Sequence, residues 1–237
     1  MLGELAAERF GPEAPPKCER CPRLVAYRKE NESKEPEWFN GAVPSFGSSE
    51  ARLLIVGLAP GRSGANRTGR PFTGDYAGDL LYSTLLAHGF AEGQYLARPD
   101  DALRLVDCMI TNSVRCVPPL NKPEPAEVAN CRPYLESRLA HLPRLKVILV
   151  LGRIAHEQTL STLGRRKANF PFTHGARHDL GDGRALFDSF HCSRYNTNTG
   201  RLTVAMFHSV FDAIRNELTS ATRASPRRGF PVGEPDK

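Results

Sequence analysis

The segment LKVILVLG, residues 145–152, is the strongest indication of the fold in this sequence. Its apolar residues are consecutive and several are β-branched, which is typical of a strand buried on both faces of a parallel sheet. The same pattern recurs in ARLLIVG (51–57), LRLVDCMITN (103–112) and RALFDSFH (184–191). We therefore predict four buried strands.

Between and after these strands, apolar residues recur at helical spacing in residues 75–89, 124–142, 153–163 and 202–218. Alternating strands and helices predict an α/β fold, a three-layer α/β/α sandwich with a central, mainly parallel four-stranded sheet. In such sheets ligands bind at the carboxyl ends of the strands. We therefore expect the functional site in the loops at those ends, residues 58–75, 111–123, 152–153 and 191–201.

Composition limits the protein class. The 237 residues are 40% hydrophobic and 24% charged, which fits a soluble globular protein, and the net charge of +6 is compatible with nucleic acid as a partner. No apolar run approaches the roughly 20 residues that span a bilayer, and the N-terminus lacks a signal-peptide pattern. We expect a cytoplasmic monomer without membrane contact. Residues 1–17 are predicted to be a lead-in, 18–219 a domain and 220–237 a disordered tail.

The loop GLAPGRSGANRTGRPFTGD (57–75) is glycine-rich and follows a strand, as phosphate-binding loops do. Gly64 and Gly69 have P-loop spacing, but arginine and proline follow where lysine and serine or threonine are needed, and the dinucleotide fingerprint is also absent. A phosphate cradle is therefore disfavoured. Glycine instead allows close approach to a flat ligand, and Phe72 can stack on one. Asp75 is predicted to be the N-cap of the next helix, and an N-cap position can coincide with a functional carboxylate.

Six cysteines occur, at positions 18, 21, 108, 116, 131 and 192. Cys18 and Cys21 form a C-x2-C pair, and Cys116 and Cys131 form a second, wider pair. Together they could hold zinc or a [4Fe–4S] cluster, although the second spacing fits a zinc ribbon poorly. The alternative is that the thiols are unconnected. We expect Cys108 to be a core residue, and we do not expect Cys192 to be a ligand.

Three loop motifs match a known family. GLAPG…NRTGRPFTGD (57–75), ITNSVRC (110–116) and FHCSRYNTNTGRLT (190–203), with the cysteine spacing, resemble the uracil-DNA glycosylase superfamily, most closely family 5. The resemblance covers about residues 18–215. It implies a [4Fe–4S] cluster on Cys18, Cys21, Cys116 and Cys131. It also implies hydrolysis of the N-glycosidic bond of uracil, and of other deaminated bases such as hypoxanthine, in DNA.

The resemblance also suggests roles for single residues. Bond cleavage passes through an oxocarbenium-like state, so Asp75 could hold the attacking water or stabilise the sugar cation. His191 can donate a hydrogen bond to a base carbonyl. Either Asn112 or Asn121 can read a base edge. Other branches carry a polar catalytic residue near position 59, where this chain has Ala59.

The remaining candidates concern the base pocket and the DNA. Gly57, Ala59, Gly61 and Phe72 are expected to form the pocket wall. Arg194 and Tyr195 could enter the gap left by a flipped base or contact phosphates. The expected partner is double-stranded DNA containing a deaminated base, with single-stranded DNA as a further candidate. The alternative function is an iron–sulfur module that recognises damaged DNA without catalysis.

Overall fold

The computed structural model describes residues 11–223. Its strands are β1 (Phe46–Gly47), β2 (Leu53–Gly57), β3 (Ala91–Glu92), β4 (Arg104–Leu105), β5 (Cys108–Asn112), β6 (Val147–Leu151), β7 (Arg177–Asp179) and β8 (Ala185–Ser189). Six of them form one sheet in the order β1-β5-β2-β6-β8-β7, while β3 and β4 pair separately.

The four predicted strands form the centre of this sheet, and the prediction of their parallel pairing is confirmed. The predicted number of four strands is too low, because β1 and β7 add antiparallel edges. These edge strands have only two and three residues. Segments that short carry no recognisable period of apolar residues.

The α-helices are α1 (Pro22–Lys34), α2 (Ala65–Thr68), α3 (Tyr76–Ala87), α4 (Pro125–Ala140), α5 (Arg153–Thr162), α6 (Arg194–Asn198) and α7 (Val204–Arg223). Short 3-10 turns cover Pro119–Asn121 and Lys167–Asn169. The four predicted helices correspond to α3, α4, α5 and α7. Within residues 11–223, no helix has the length and apolar character that crossing a membrane requires.

Helices cover both faces of the sheet, as alternation along β2 shows. Leu53 and Ile55 pack in one buried cluster with residues of α3 and α7. Leu54 and Val56 belong to a second cluster with residues of α4 and α5. Because successive side chains of a strand point to opposite faces, these clusters define two helical layers. The predicted three-layer α/β/α sandwich is therefore confirmed.

At both ends the packed structure extends beyond the predicted domain boundaries at residues 18 and 219. Glu13 pairs with Arg115 and Arg138, and Ala14 is buried, so part of the predicted lead-in already packs on the domain. Helix α7 continues to Arg223. The rest of the predicted tail, residues 224–237, lies outside the described residues, as do residues 1–10.

Candidate active site

A cavity of about 630 Å³ lies at the carboxyl ends of the central strands, beside the start of α3. This volume is within the range of small-ligand sites. Eight predicted site residues line the cavity: Ala59, Gly61, Phe72, Asp75, Asn112, Asn121, His191 and Arg194. Two predicted residues, Gly57 and Tyr195, are not part of the lining.

Asp75 serves as the N-cap of α3 and also faces the cavity. Its Oδ1 accepts a hydrogen bond from Gly78 N at 3.1 Å. Its other carboxylate oxygen, Oδ2, lies against the backbone of Gly61 and Gly64. The two explanations of Asp75 offered by the sequence are therefore compatible, because capping uses only one of its two oxygens.

Gly57 does not line the cavity, but it contacts two residues that do. A Cβ at this position would lie 2.8 Å from the ring of Phe72 and would overlap Oδ1 of Asn112. Its missing side chain therefore makes room for two residues that line the cavity. Since the contacts of Gly57 are with Phe72 and Asn112 and not with the cavity, its part in substrate binding stays a prediction.

An aromatic surface is formed by Phe72 and His191. Their rings are stacked with centroids 5.8 Å apart and an interplanar angle of 29°. Phe72 has a φ of +53°, which is uncommon outside glycine and places its ring beside the cavity. Burial lowers the pKa of His191 below its usual value, and the charge of Asp75 opposes this only in part. The lowered pKa favours the neutral imidazole, in which one ring nitrogen carries a hydrogen to donate.

The two candidate asparagines occupy different depths. Asn112, at the end of β5, is buried, and its Oδ1 has no hydrogen-bond partner among the described residues. Asn121 is exposed at the rim and has a φ of +56°. A buried acceptor without a partner is costly, so a ligand N–H that reaches Asn112 would be favoured. Asn112 therefore lies inside the cavity with an acceptor available to a ligand, and Asn121 lies at its rim.

The four cysteines predicted as ligands lie together. Cys18, Cys21, Cys116 and Cys131 line one pocket, whereas the other two cysteines belong to a separate apolar cluster. Arg115 N donates to Cys131 Sγ at 3.3 Å, and N–H donors from other residues approach Cys21 and Cys116 at 3.8 and 3.9 Å. Such donors stabilise metal-bound thiolates.

Burial alone would keep the thiols of Cys116 and Cys131 protonated, because it raises the pKa of Cys116 to about 12 and that of Cys131 to about 11. Neighbouring positive charge lowers both pKa values only in part. A bound metal overcomes such a barrier, because coordination deprotonates a thiol. Four thiols around one pocket, with N–H donors beside three of them, are a set of groups that suits an iron–sulfur cluster.

Comparison with known proteins agrees with this geometry. The sequence profile of the family described as "Uracil DNA glycosylase superfamily" matches residues 44–215. The chain belongs to the uracil DNA glycosylase superfamily. Among its relatives, a type-5 uracil-DNA glycosylase of Thermus thermophilus is 48% identical over 199 residues, covering 81% of this chain and 90% of the relative.

Further relatives place the chain in the type-5 group. The type-5 uracil-DNA glycosylase of Mycobacterium tuberculosis is 41% identical, covering 82% of this chain and 75% of the relative. A type-4 uracil-DNA glycosylase of Pyrobaculum aerophilum is 36% identical but covers only 63% of this chain and 62% of the relative. The predicted resemblance to family 5 of the superfamily is confirmed.

One residue at the cavity mouth of this superfamily member was missed by the sequence analysis. Leu120 is 86% exposed and has a φ of +53°, next to Asn121 in the cavity rim. Its sequence context, PPLNKP, gives a signal for a turn but none for an exposed apolar tip. Leu120 and Tyr195, which is 73% exposed, are large apolar groups near the two sides of the mouth, whereas Arg194 lies over the ring of Tyr76.

The carboxylate of Asp75 packs tightly against two glycines, so substituting either glycine should change activity. A Cβ at Gly64 would overlap Oδ2 of Asp75 and lie 2.9 Å from its Cγ, whereas a Cβ at Gly61 would lie 3.0 Å from Oδ2. We expect Gly64→Ala to displace the carboxylate and lower the rate of base release about 10- to 100-fold. Gly61→Ala should have a smaller effect. Equal rates for both variants and the wild type in single-turnover assays would contradict this placement of the carboxylate.

The turn that carries Phe72 and precedes Asp75 is held by Arg70. This buried guanidinium forms a bidentate ion pair with Asp101 at 2.7 and 2.8 Å and donates to Thr73 Oγ1 at 2.7 Å. The rings of Tyr82 and Tyr95 lie 5.4 and 5.8 Å from it. Two buried groups thus fix a turn whose backbone includes left-handed residues.

The same ion pair predicts a pH-dependent contribution to stability. Hydrogen bonds from Arg70 lower the pKa of Asp101 from 3.8 to about 2. A lowered folded-state pKa contributes stability above pH 4 that is lost as pH falls through about 2. We expect Asp101→Asn to lower the free energy of unfolding by at least about 2 kcal/mol at pH 7, and by about 1 kcal/mol less at pH 3.

Urea unfolding of the wild type and the variant at both pH values measures this difference. Asp100→Asn is the matched control, because the Asp100 side chain is 75% exposed and its pair with Arg98 lies on the surface. Surface pairs contribute about 0–1 kcal/mol. A pH-independent difference between Asp101→Asn and wild type would contradict the ionised pair as its cause.

Proposed function

We propose that the protein hydrolyses the N-glycosidic bond of uracil in DNA and leaves an abasic site. The observation that carries this proposal is the cavity in which a carboxylate, a neutral imidazole and an unpartnered amide oxygen surround an aromatic ring. Each of these groups corresponds to one requirement of base recognition or bond cleavage. The names of the type-5 relatives support the same reaction.

Recognition begins with a base that has left the duplex, since a stacked base cannot reach a cavity. Phe72 offers a face on which the flat base can stack. Oδ1 of Asn112 can accept a hydrogen bond from a ring N–H of the base, and this would satisfy an otherwise orphaned acceptor. Gly57 keeps both of these side chains close to the strand end.

Cleavage uses the remaining two groups. As the bond to the sugar breaks, negative charge develops on the base and positive charge on the sugar. Neutral His191 donates a hydrogen bond to a base carbonyl oxygen and stabilises the first charge. Asp75 stabilises the second and can orient the attacking water. Leu120, with Arg194 and Tyr195, is placed to fill the gap left by the base or to contact the backbone.

The size of the cavity is compatible with a broader substrate range. At about 630 Å³ the cavity opens to solvent, and its volume does not exclude a purine such as hypoxanthine. The substrate is DNA with a deaminated base, double-stranded and, as a second candidate, single-stranded. We further propose that the protein works as a cytoplasmic monomer.

The cysteine site is proposed to hold a [4Fe–4S] cluster on Cys18, Cys21, Cys116 and Cys131. Such a cluster supplies a structural crosslink and takes no part in hydrolysis. The four ligands come from the segment before α1, the loop after β5 and helix α4. The crosslink would therefore fix the loop that follows Asn112.

Base release from a duplex oligonucleotide with one uracil tests the proposed function. The wild type is incubated without divalent metal, and alkali then cuts the strand at abasic sites. We expect cleavage only after alkali, with uracil and with hypoxanthine. Tight binding without release of either base would instead support the binding module without catalysis. Strand cleavage before alkali would contradict simple hydrolysis of the glycosidic bond.

A further inference from the structure

A second groove lies beside the active-site cavity. Its volume is about 280 Å³, and it shares Leu58 and His191 with the cavity, so the two are immediate neighbours. Its other walls come from the start of α5, the segment before β7 and the residues after β8. Apart from His191, no residue that lines this second groove takes part in the proposed reaction.

Two arginines flank the second groove, each resting on an aromatic ring. The guanidinium carbon of Arg153 lies 5.4 Å from the ring centroid of Phe172, and that of Arg201 lies 4.6 Å from the ring of Phe190. Both arginines are exposed. Neither forms an ion pair among the described residues, and the described lining contains no carboxylate.

The arginines without ion pairs and the aromatic rings together indicate which kind of ligand the second groove suits. Exposed Arg98, Arg104 and Arg177 each pair with a carboxylate. The two arginines of the groove, like exposed Arg144 and Arg166, form no ion pair among the described residues, and they differ from these in lying on aromatic rings beside the cavity. Guanidinium planes and aromatic rings are the surfaces on which nucleobases stack. Half-buried Phe172 and the 49% exposed side chain of Ile154 add an apolar wall. Cationic and flat apolar groups together match a nucleotide, whose phosphate is anionic and whose base is flat.

We propose that the second groove binds the nucleotide adjacent to the target nucleotide, with that neighbouring base unpaired. The inference rests on the proposed function, because the position of the target base in the first cavity defines the neighbour. A base can enter the groove only if it leaves its partner, which costs free energy in a duplex and much less in a single strand. The groove therefore favours single-stranded substrates.

Binding of single-stranded oligonucleotides to the cluster-containing wild type tests the proposal. Each oligonucleotide carries an uncleavable abasic-site analogue and, directly 5′ or 3′ to it, an adenine analogue whose fluorescence is quenched by stacking. The variants are Phe172→Ala, Phe172→Trp and Arg201→Ala. Arg144→Ala is the matched control, because Arg144 is exposed and lies before the first residue of β6, at the end of the sheet opposite the groove.

We expect the wild type to quench the analogue on one side of the abasic site. Phe172→Ala and Arg201→Ala should raise Kd for the single strand about 10-fold, the scale of one lost stacking contact. The increase should be smaller for the corresponding duplex. Phe172→Trp, which keeps a stacking face, should retain quenching and affinity, and Arg144→Ala should retain quenching.

Three results would overturn the proposal: no quenching on either side, equal effects of Arg144→Ala and Arg201→Ala, or an equal loss for duplex and single strand. Uracil release is assayed on the same preparations. Quenching by a wild type that releases no uracil would support nucleotide binding in the groove and contradict the proposed reaction. Uracil release without quenching would support the reaction and contradict nucleotide binding in the groove.

Discussion

Asp75→Asn should lower the rate of uracil release at least about 100-fold, the scale of a positioned catalytic group, while leaving the thermal midpoint nearly unchanged. The reason is that Asp75 has two separable roles. Its Oδ1 caps α3 by accepting from Gly78 N, and asparagine retains an oxygen for that bond. Its negative charge, beside His191 and the cavity, is what the substitution removes.

Asp75→Ala completes the comparison. It removes both the charge and the cap, so we expect the same loss of activity together with about 1 kcal/mol less stability. Single-turnover assays with a uracil-containing duplex measure the first effect, and thermal unfolding measures the second. If Asp75→Asn kept wild-type activity while Asp75→Ala lost it, the residue would act only as a helix cap.

The central strands were predictable because four runs of consecutive apolar residues can be buried only between two layers of helices. Since the strands are parallel, the loops at 58–75, 111–123 and 191–201 all lie at the carboxyl ends of the strands. This is why the loops that carry Asp75, Asn112 and His191 could be expected to meet at one site from the periodicity of apolar residues and the geometry of parallel sheets. The roles of single residues came from the resemblance to the glycosylase superfamily, and the choice between Asn112 and Asn121 stayed open.

The rest of the site depends on contacts between residues distant in sequence. Nothing near Arg70 in the chain indicates Asp101 as its partner, because the pair closes across 31 residues. The role of Gly57 appears only once Phe72 and Asn112 are in place. Helix α1 carries few buried apolar residues, and its amphipathic pattern is correspondingly weak. Likewise, the exposure of Leu120 follows from backbone angles that composition does not determine.

The catalytic cavity and the cysteine site are linked through β5. This strand ends at Asn112, and Cys116 follows four residues later. Along this loop, Ser113 N and Val114 N donate to the carbonyls of Gly57 and Leu58 at 2.9 Å. Ala59 packs against the cluster that contains the four cysteines. A disturbance at the cysteines would therefore reach both Asn112 and the loop that lines the cavity.

Cys131→Ser is expected to abolish iron binding and to lower the free energy of unfolding by more than about 4 kcal/mol, as the loss of a metal centre does. For a chain of this size this corresponds to about 10 °C in the thermal midpoint. Cys131 lies in α4 and accepts a hydrogen bond from Arg115 N, so without the proposed cluster the loop after Asn112 would lose a fixed end. Uracil release should fall with it.

Cys108→Ala separates ligand loss from the general cost of removing a buried thiol. Cys108 is fully buried in β5, away from the pocket of the four cysteines, so this variant should keep its iron and its brown colour. Iron analysis and visible absorbance give the comparison directly. A colourless wild type with one zinc ion per chain would contradict the proposed iron–sulfur cluster and would show a structural zinc ion in its place. Retention of iron and full stability by Cys131→Ser would show that the four converging thiols form no metal centre.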